Sequence, residues 1–195
     1  MKKNKTNFKN HLWILSILYL TLGLFNILFA WLGLICFLVP LIISASNGGK
    51  KYCHSYCGRG QLLNILGDNL KLSRHKDMPR FLVSKYFKYG FLAFFMIMFI
   101  VMLLNTYLVF SGASNVKEVI TLFWTFKLPW NWVNTSMTSP WIAQFAFGFY
   151  SMMVTSTLLG IITMILYKPR SWCIYCPMGT MTQLISKSKK LREYR

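Results

Sequence analysis

Three long apolar blocks organise the chain. The first runs from residue 12 to residue 45, 34 residues without a charge. As one helix, rising 1.5 Å per residue, it would be about 50 Å long, well beyond the ~30 Å hydrocarbon core of a bilayer. Two short spans fit that thickness better, turning between Asn26 and Gly33; one tilted helix kinked at Pro40 is the alternative. The second block covers 89–110, with Tyr86 and Tyr89 near its start, where interfacial aromatics collect. The third covers 141–167, bounded by Trp141 and Tyr167. All three are apolar throughout rather than striped, as expected of helices surrounded by lipid. The predicted spans are 12–28, 30–45, 89–110 and 141–167.

The intervening segments are polar or amphipathic. Residues 61–70 form a short amphipathic stretch, and 71–80 a basic, polar loop ending near Pro79. In 111–140, the aromatic run from Val119 to Trp132 holds a single charge, Lys127. It is predicted to lie in the outer interface as an amphipathic segment. Residues 180–191 place Met181, Leu184, Ile185, Ser188 and Leu191 at i, i+3, i+4 spacing among lysines, which predicts a helix on the inner leaflet. The expected fold is an all-α integral membrane protein, residues 1–195 forming one membrane domain. Its four transmembrane helices form two hairpins, with short amphipathic helices on the cytoplasmic face.

Composition agrees. The 195 residues are 55% hydrophobic and only 13% charged, against about 25% charged in soluble domains. The net charge of +18 would ordinarily suggest nucleic acid, but its distribution argues for topology instead. Of 22 Lys and Arg, four lie in 1–11, nine in 48–88 and seven in 168–195, leaving Lys117 and Lys127. Basic short loops face the cytoplasm. The N- and C-termini are therefore expected to be cytoplasmic, in a multi-pass protein of the inner (plasma) membrane, with the N-terminal apolar run retained rather than cleaved. No nucleic-acid-binding motif accompanies the charge, so the expected surroundings are membrane lipid and no nucleic acid.

Two cysteine motifs carry the chemistry, at 52–60 and 172–179. Tyr52-Cys-His-Ser-Tyr-Cys-Gly-Arg-Gly60 holds Cys53 and Cys57, with three residues between them. Trp172-Cys-Ile-Tyr-Cys-Pro-Met-Gly179 holds Cys173 and Cys176, separated by two. Both contain Tyr-Cys-x-x-Gly, and both follow an apolar block and a few basic residues. On the predicted topology the two pairs share the cytoplasmic face. Two thiolates from each of two turns make a four-thiolate site, suited to a 4Fe-4S cluster or to zinc. Gly58, Gly60 and Gly179 permit close backbone approach. Pro177 after the last cysteine matches the ending of ferredoxin-type ligand runs. The charges of Lys50, Lys51, Arg59 and Arg170 would offset an anionic cluster. Zinc, free structural thiols and thiol–disulfide exchange are the competing readings, the last without a thioredoxin-like context.

The two motifs, Tyr52 to Gln61 and Pro169 to Gln183, resemble those of the 4Fe-4S binding-domain membrane proteins, which are related to the membrane polyferredoxin subunits of nitrate and nitrous-oxide respiration. The resemblance implies a membrane electron-transfer role, with Cys53, Cys57, Cys173 and Cys176 as cofactor-binding and metal ligands. The usual membrane motif is Cys-x3-Cys-Pro; here Gly58 follows the first pair, and the second pair is one residue shorter. An electron-transfer subunit, rather than an enzyme on its own, is expected, with redox partner proteins: a cytoplasmic donor and a membrane or outer-side acceptor.

Other residues narrow the reading. Cys36, in mid-span, is expected to be a small packing residue. His54 and His75 are expected to be exposed loop residues, and no histidine lies inside a span, which argues against haem. No Asp, Glu, Lys or Arg lies in 12–45, 89–110 or 141–167, which argues against a pump or ion transporter acting alone. Ser111-Gly-Ala-Ser114 resembles part of a flavin-attachment motif, but Val116 occupies the acceptor position, so a turn is expected. Asn134-Thr-Ser136 reads as a chance sequon.

Overall fold

The computed structural model describes residues 12–47, 57–117, 119–123, 125–129 and 139–193. Helix α1 (Leu12–Phe25) stops at Asn26, whose backbone is extended and whose side-chain oxygen accepts from the N–H of Leu28. That cap starts a 3-10 turn, Ile27–Trp31, leading into α2 (Leu32–Asn47), which contains Pro40. The first apolar block is thus broken at the asparagine where the turn was predicted to begin.

The ends of this segment meet the same part of the molecule. A helix, α3 (Gly58–Asn64), follows, continued by a π turn Ile65–Asn69. At its start, a Cβ on Gly58 would lie 2.5 Å from the Leu12 carbonyl oxygen and 2.6 Å from Ser16 Oγ, so α1 and α3 touch backbone to backbone. Residues 71–79 have no regular structure, as expected of the basic loop. A short helix α4 (Arg80–Val83) precedes α5 (Lys85–Phe110).

Two strands follow, β1 (Val119–Leu122) and β2 (Phe126–Pro129), paired antiparallel with Ile120 opposite Leu128. The chain is otherwise mostly helical, as expected, and this short ribbon is an addition within the Val119 to Trp132 segment that the sequence did not predict; residues 130–132 lie outside the described residues. β-Branched and aromatic residues favour strand here. The free edge of β1 is not left open. It packs on α6 (Pro140–Leu166), where Thr121 exchanges backbone hydrogen bonds with the Ser151 hydroxyl, and Phe123 N–H donates to Thr155 Oγ1 at 3.3 Å.

Helix α6 is the centre of the bundle, more than half buried, whereas α5 is mostly exposed. Ile27, Ala30, Ala143, Ala146, Phe147 and Tyr150 form one buried cluster, joining the 3-10 turn to the start of α6. Tyr150 lies against Gly23 and its hydroxyl donates to the Leu20 carbonyl at 2.8 Å. Two final helices are α7 (Trp172–Tyr175) and α8 (Pro177–Glu193). Helix α8 lies along α2, with Ser44 Oγ donating to the Thr182 carbonyl at 2.8 Å. Thr182 makes this close contact, and Leu184, in the stripe predicted to face the inner leaflet, is exposed. Small residues let helix backbones approach where lipid supplies no drive to pair apolar faces.

Three segments are long and apolar enough to cross a membrane, Ile27–Ala45, Lys85–Phe110 and Pro140–Leu166, with α1 a shorter apolar helix. Exposed Ile14, Leu15, Ile35, Ile42, Ile97 and Leu104 give the outer surface an apolar character that fits embedding in lipid.

Candidate metal centre

The loop after the first motif is fastened to the segment before the second. Arg74 N–H donates to the Ile165 carbonyl at 3.1 Å, and Ser73 Oγ donates to the Tyr167 carbonyl, so the C-terminal carbonyls of α6 find partners in residues 73–74. Lys168 pairs with Asp77, and this hydrogen bond holds the Asp77 carboxyl below the usual carboxylate range. Gly67, in the π turn, lies against Pro169; a Cβ there would sit 2.8 Å from Pro169 Cβ. Leu63 and Trp172 both lie against Gly160 of α6. They share a buried cluster with Met164 and Tyr175, flanked by Phe87 and Phe91 of α5.

This packing brings the cysteines of two distant motifs together. Cys57 is the residue before α3, and its carbonyl accepts from Gln61 N–H at 3.0 Å. Cys173 is the second residue of α7, its N–H donating to the Arg170 carbonyl at 3.0 Å. Cys176 separates α7 from α8, its N–H donating to the Trp172 carbonyl at 3.0 Å. Pro177 then starts α8, where a missing N–H costs nothing and a fixed φ helps. A Cβ built on Gly60 would lie 3.7 Å from both Cys57 Sγ and Cys173 Sγ. The two sulfurs are therefore no further apart than twice that distance, with a bare glycine between them.

Cys57, Cys173 and Cys176 line one cavity of about 90 Å³ with Phe37, Phe95 and Trp172 among its walls. The room exceeds the roughly 10–15 Å³ that one water needs. Arg59 also lines it and is held in place: Nη1 donates to Ser156 Oγ at 2.6 Å, and Nη2 donates to Met153 Sδ. Burial pushes the Cys57 thiol above its ordinary value. The N–H of Gly60 and the guanidinium of Arg59 act the other way, and Cys176 and Cys36 raise it further.

Cys53 and His54 of the first motif lie outside the described residues, as do Lys50, Lys51 and Asn134-Thr-Ser136. Cys36 is placed differently from its predicted packing role. It is exposed rather than buried, and it lines the same cavity as the three motif cysteines. Nothing in the sequence spacing pointed there, although Cys36 and Pro40, one turn apart, both face the cavity. His75 is exposed, as expected, and Ser111 to Ser114 form a turn with Gly112 at φ 75°.

Among the described residues, no three of His, Cys, Asp and Glu converge as ligands of one ion. The cysteines instead surround a space. Three thiols from two motifs around an apolar cavity, with Gly60 against two of the sulfurs and the Arg59 guanidinium on its wall, are the donor set that would suit a 4Fe-4S cluster. A second cavity, about 350 Å³, opens between α5, the β ribbon and α6, with Lys117, Lys127 and Gln144 on its walls; no cysteine or histidine lines it.

The comparisons with known proteins point the same way. Residues 29–79 and 150–194 match the family model of the 4Fe-4S binding domain. The matched stretches are just under half of the chain and contain both cysteine motifs and Cys36. No curated protein and no solved structure matches the chain. The family match supports an iron–sulfur protein.

Proposed function

We propose that this chain is a membrane electron-transfer protein holding a 4Fe-4S cluster between its two cysteine motifs. Cys57, Cys173 and Cys176 supply three thiolates and Cys53 the fourth. The observation that carries this reading is the bare Gly60 wall between the sulfurs of Cys57 and Cys173, on a cavity that Cys176 shares. When bound, the cluster supplies one-electron redox chemistry. The chain's own residues do the rest. Gly60 N–H and Arg59 favour thiolate at Cys57, offsetting its burial. Phe37, Phe95 and Trp172 make the cavity walls largely apolar. The donor is a cytoplasmic one-electron carrier and the acceptor a membrane or outer-side protein. One centre at one end of the bundle requires such a partner.

The test is iron, zinc and acid-labile sulfide on anaerobically purified protein, with a Cys57→Ser, Cys176→Ser variant alongside. About four irons and four sulfides per chain are expected, with loss of both in the variant. Stoichiometric zinc, or protein free of metal, would overturn the cluster.

The membrane arrangement is part of the proposal. Spans 12–28, 30–45, 89–110 and 141–167 form two hairpins in the inner membrane, with both termini and both cysteine motifs cytoplasmic. Supporting this, Leu12 and Ser16 meet Gly58 while Ser44 meets Thr182, so both ends of the first apolar block lie at the cysteine end. The 3-10 turn between them lies at the start of α6, with Trp31 Nε1 donating to the Ile142 carbonyl at 3.4 Å. A reporter active only outside the cytoplasm should be silent when fused after Arg195 and active when inserted after Gly112. The reverse pattern, or activity at both sites, sinks the topology.

A further inference from the structure

We propose that the second cavity, between α5, the β ribbon and α6, holds an anionic phospholipid, its phosphate at two lysines and its acyl chain against methionines. The inference rests on the membrane arrangement above and makes no use of the cluster. Periodicity builds the three walls. Helix α5 offers Met98, Val101, Met102 and Asn105, at i, i+3, i+4 and i+7, one face of a helix. Helix α6 offers Gln144, Gly148, Ser151 and Met152 at the same kind of spacing. In the ribbon, Val119 and Thr121 alternate onto one face of β1, and Lys127 of β2 pairs directly opposite Thr121. Ile120, on the other face, is buried in the core against the start of α6. The ribbon therefore covers the core with one face and leaves the other to the cavity.

The walls are graded along the bundle. Asn105 lies about 7.5 Å from the end of α5 at Phe110, and Met98 about 18 Å. On α6, Gln144 lies about 6 Å from the start at Pro140, and Met152 about 18 Å. Polar groups thus line the interfacial rim and methionines the depth, the profile of a headgroup followed by an acyl chain. The rim is also one-sided in charge. Lys117 and Lys127 are the only basic residues in 111–140, and both line this cavity. Among the described residues neither makes an ion pair; Glu118 lies outside them. Gln144 Oε1 accepts from the Lys117 N–H at 2.9 Å, which leaves the Gln144 amide nitrogen as a donor. Two ammonium groups beside an amide donor suit a phosphodiester, which brings both negative charge and acceptor oxygens. A free phosphate would satisfy the rim and leave the methionine-lined depth to water. At about 350 Å³ the space has room for more than an ion.

The test is photolabelling of the full-length protein in phosphatidylcholine vesicles. The probe is a trace of phosphatidylglycerol with a diazirine in one acyl chain, and adducts are located by mass spectrometry. Adducts are expected on residues 98–105 of α5 and 148–152 of α6, displaced by unlabelled phosphatidylglycerol but not by glycerol phosphate in solution. The Lys117→Gln, Lys127→Gln variant should lower their yield by about 30-fold, and Lys117→Arg, Lys127→Arg should keep it. Adducts near Lys85 and Lys88, at the other end of α5, should not change in either variant. Equal labelling of 98–105 by a diazirine phosphatidylcholine, or an unchanged yield in the glutamine variant, overturns the proposal. Displacement by glycerol phosphate as complete as by phosphatidylglycerol makes this a site for free phosphate and also overturns it. Protein that does not enter the vesicles overturns the membrane arrangement, and this site with it. A second measurement covers a glutamine variant that does not fold. In the wild type, phosphatidylglycerol should slow acetylation of Lys117 and Lys127 more than that of Lys85 and Lys88; equal slowing at both ends overturns the proposal.

Discussion

Gly67→Ala is expected to destabilise the protein and empty the cysteine site together. A Cβ at this position would lie 2.8 Å from Pro169 Cβ, 2.9 Å from its Cγ and 3.0 Å from its Cα. The obstacle is a proline ring and backbone, not the far end of a flexible chain. Pro169 is buried and cannot rotate away. Nor can the π turn withdraw easily, since Leu63 of the preceding helix is wedged against Gly160 and Trp172. Overpacking of this kind costs about 1–3 kcal/mol. The strain acts between the segments that carry Cys57 and Cys173, so iron content should fall with thermal stability in detergent. Gly90→Ala is the control. A Cβ there meets nothing within 4 Å, and an alanine in a helix interior is favoured over glycine by roughly 0.5–1 kcal/mol. A Gly67→Ala protein as stable and as iron-rich as Gly90→Ala would mean that this contact does not hold the two motifs together.

The parts of the fold that were legible in the sequence are those set by local chemistry. The break in the first apolar block falls at Asn26 because asparagine caps a helix start, and its side chain does so here. The ends of α5 and α6 fall within a few residues of the predicted spans because polar and interfacial residues bound them. The cysteine motifs are local patterns as well, two cysteines in one turn with glycine or proline after them; of these, Cys57, Cys173 and Cys176 line one cavity. The β ribbon was not. Its backbone is satisfied by Ser151 and Thr155, 30 and 32 residues away on α6, and no local pattern reports such a partner. Cys36 was missed on similar grounds. It shares no spacing with the motif cysteines, and only the packing of α2 against α8 brings its helix to their cavity. Helix α8 shows a further limit of pattern reading. Helical spacing of Met181, Leu184 and Ile185 predicted a helix lying on the inner leaflet and said nothing of its protein contact, which is Ser44 with Thr182. In lipid, apolar periodicity marks the surface offered to acyl chains as readily as the one offered to protein.

Gly60→Ala should separate stability from cofactor loading, which a purely structural role for the cysteines would not do. Gly60 is buried inside α3, where alanine is the better helix former by about 0.8–1 kcal/mol. The added Cβ would lie 3.7 Å from Cys57 Sγ, Cys57 Cβ and Cys173 Sγ, an ordinary contact distance. The protein without cofactor therefore accommodates it and should melt at the same temperature or higher. If Cys57 and Cys173 hold a cluster as proposed, the methyl group would compete with it for the space beside their sulfurs. It also crowds the approach of the Gly60 N–H, which favours the Cys57 thiolate. Changes next to a metal site typically cost 10–100-fold in affinity, and a loss of about that size in iron loading is expected here. The measurement is reconstitution with iron and sulfide, followed by visible absorption, with unfolding of the apo protein recorded in parallel. Unchanged loading with unchanged stability would remove the cluster from the space between Cys57 and Cys173. A parallel fall in both would make Gly60 a packing residue, and the glycine between the two sulfurs would then reflect helix contact rather than room for a cofactor.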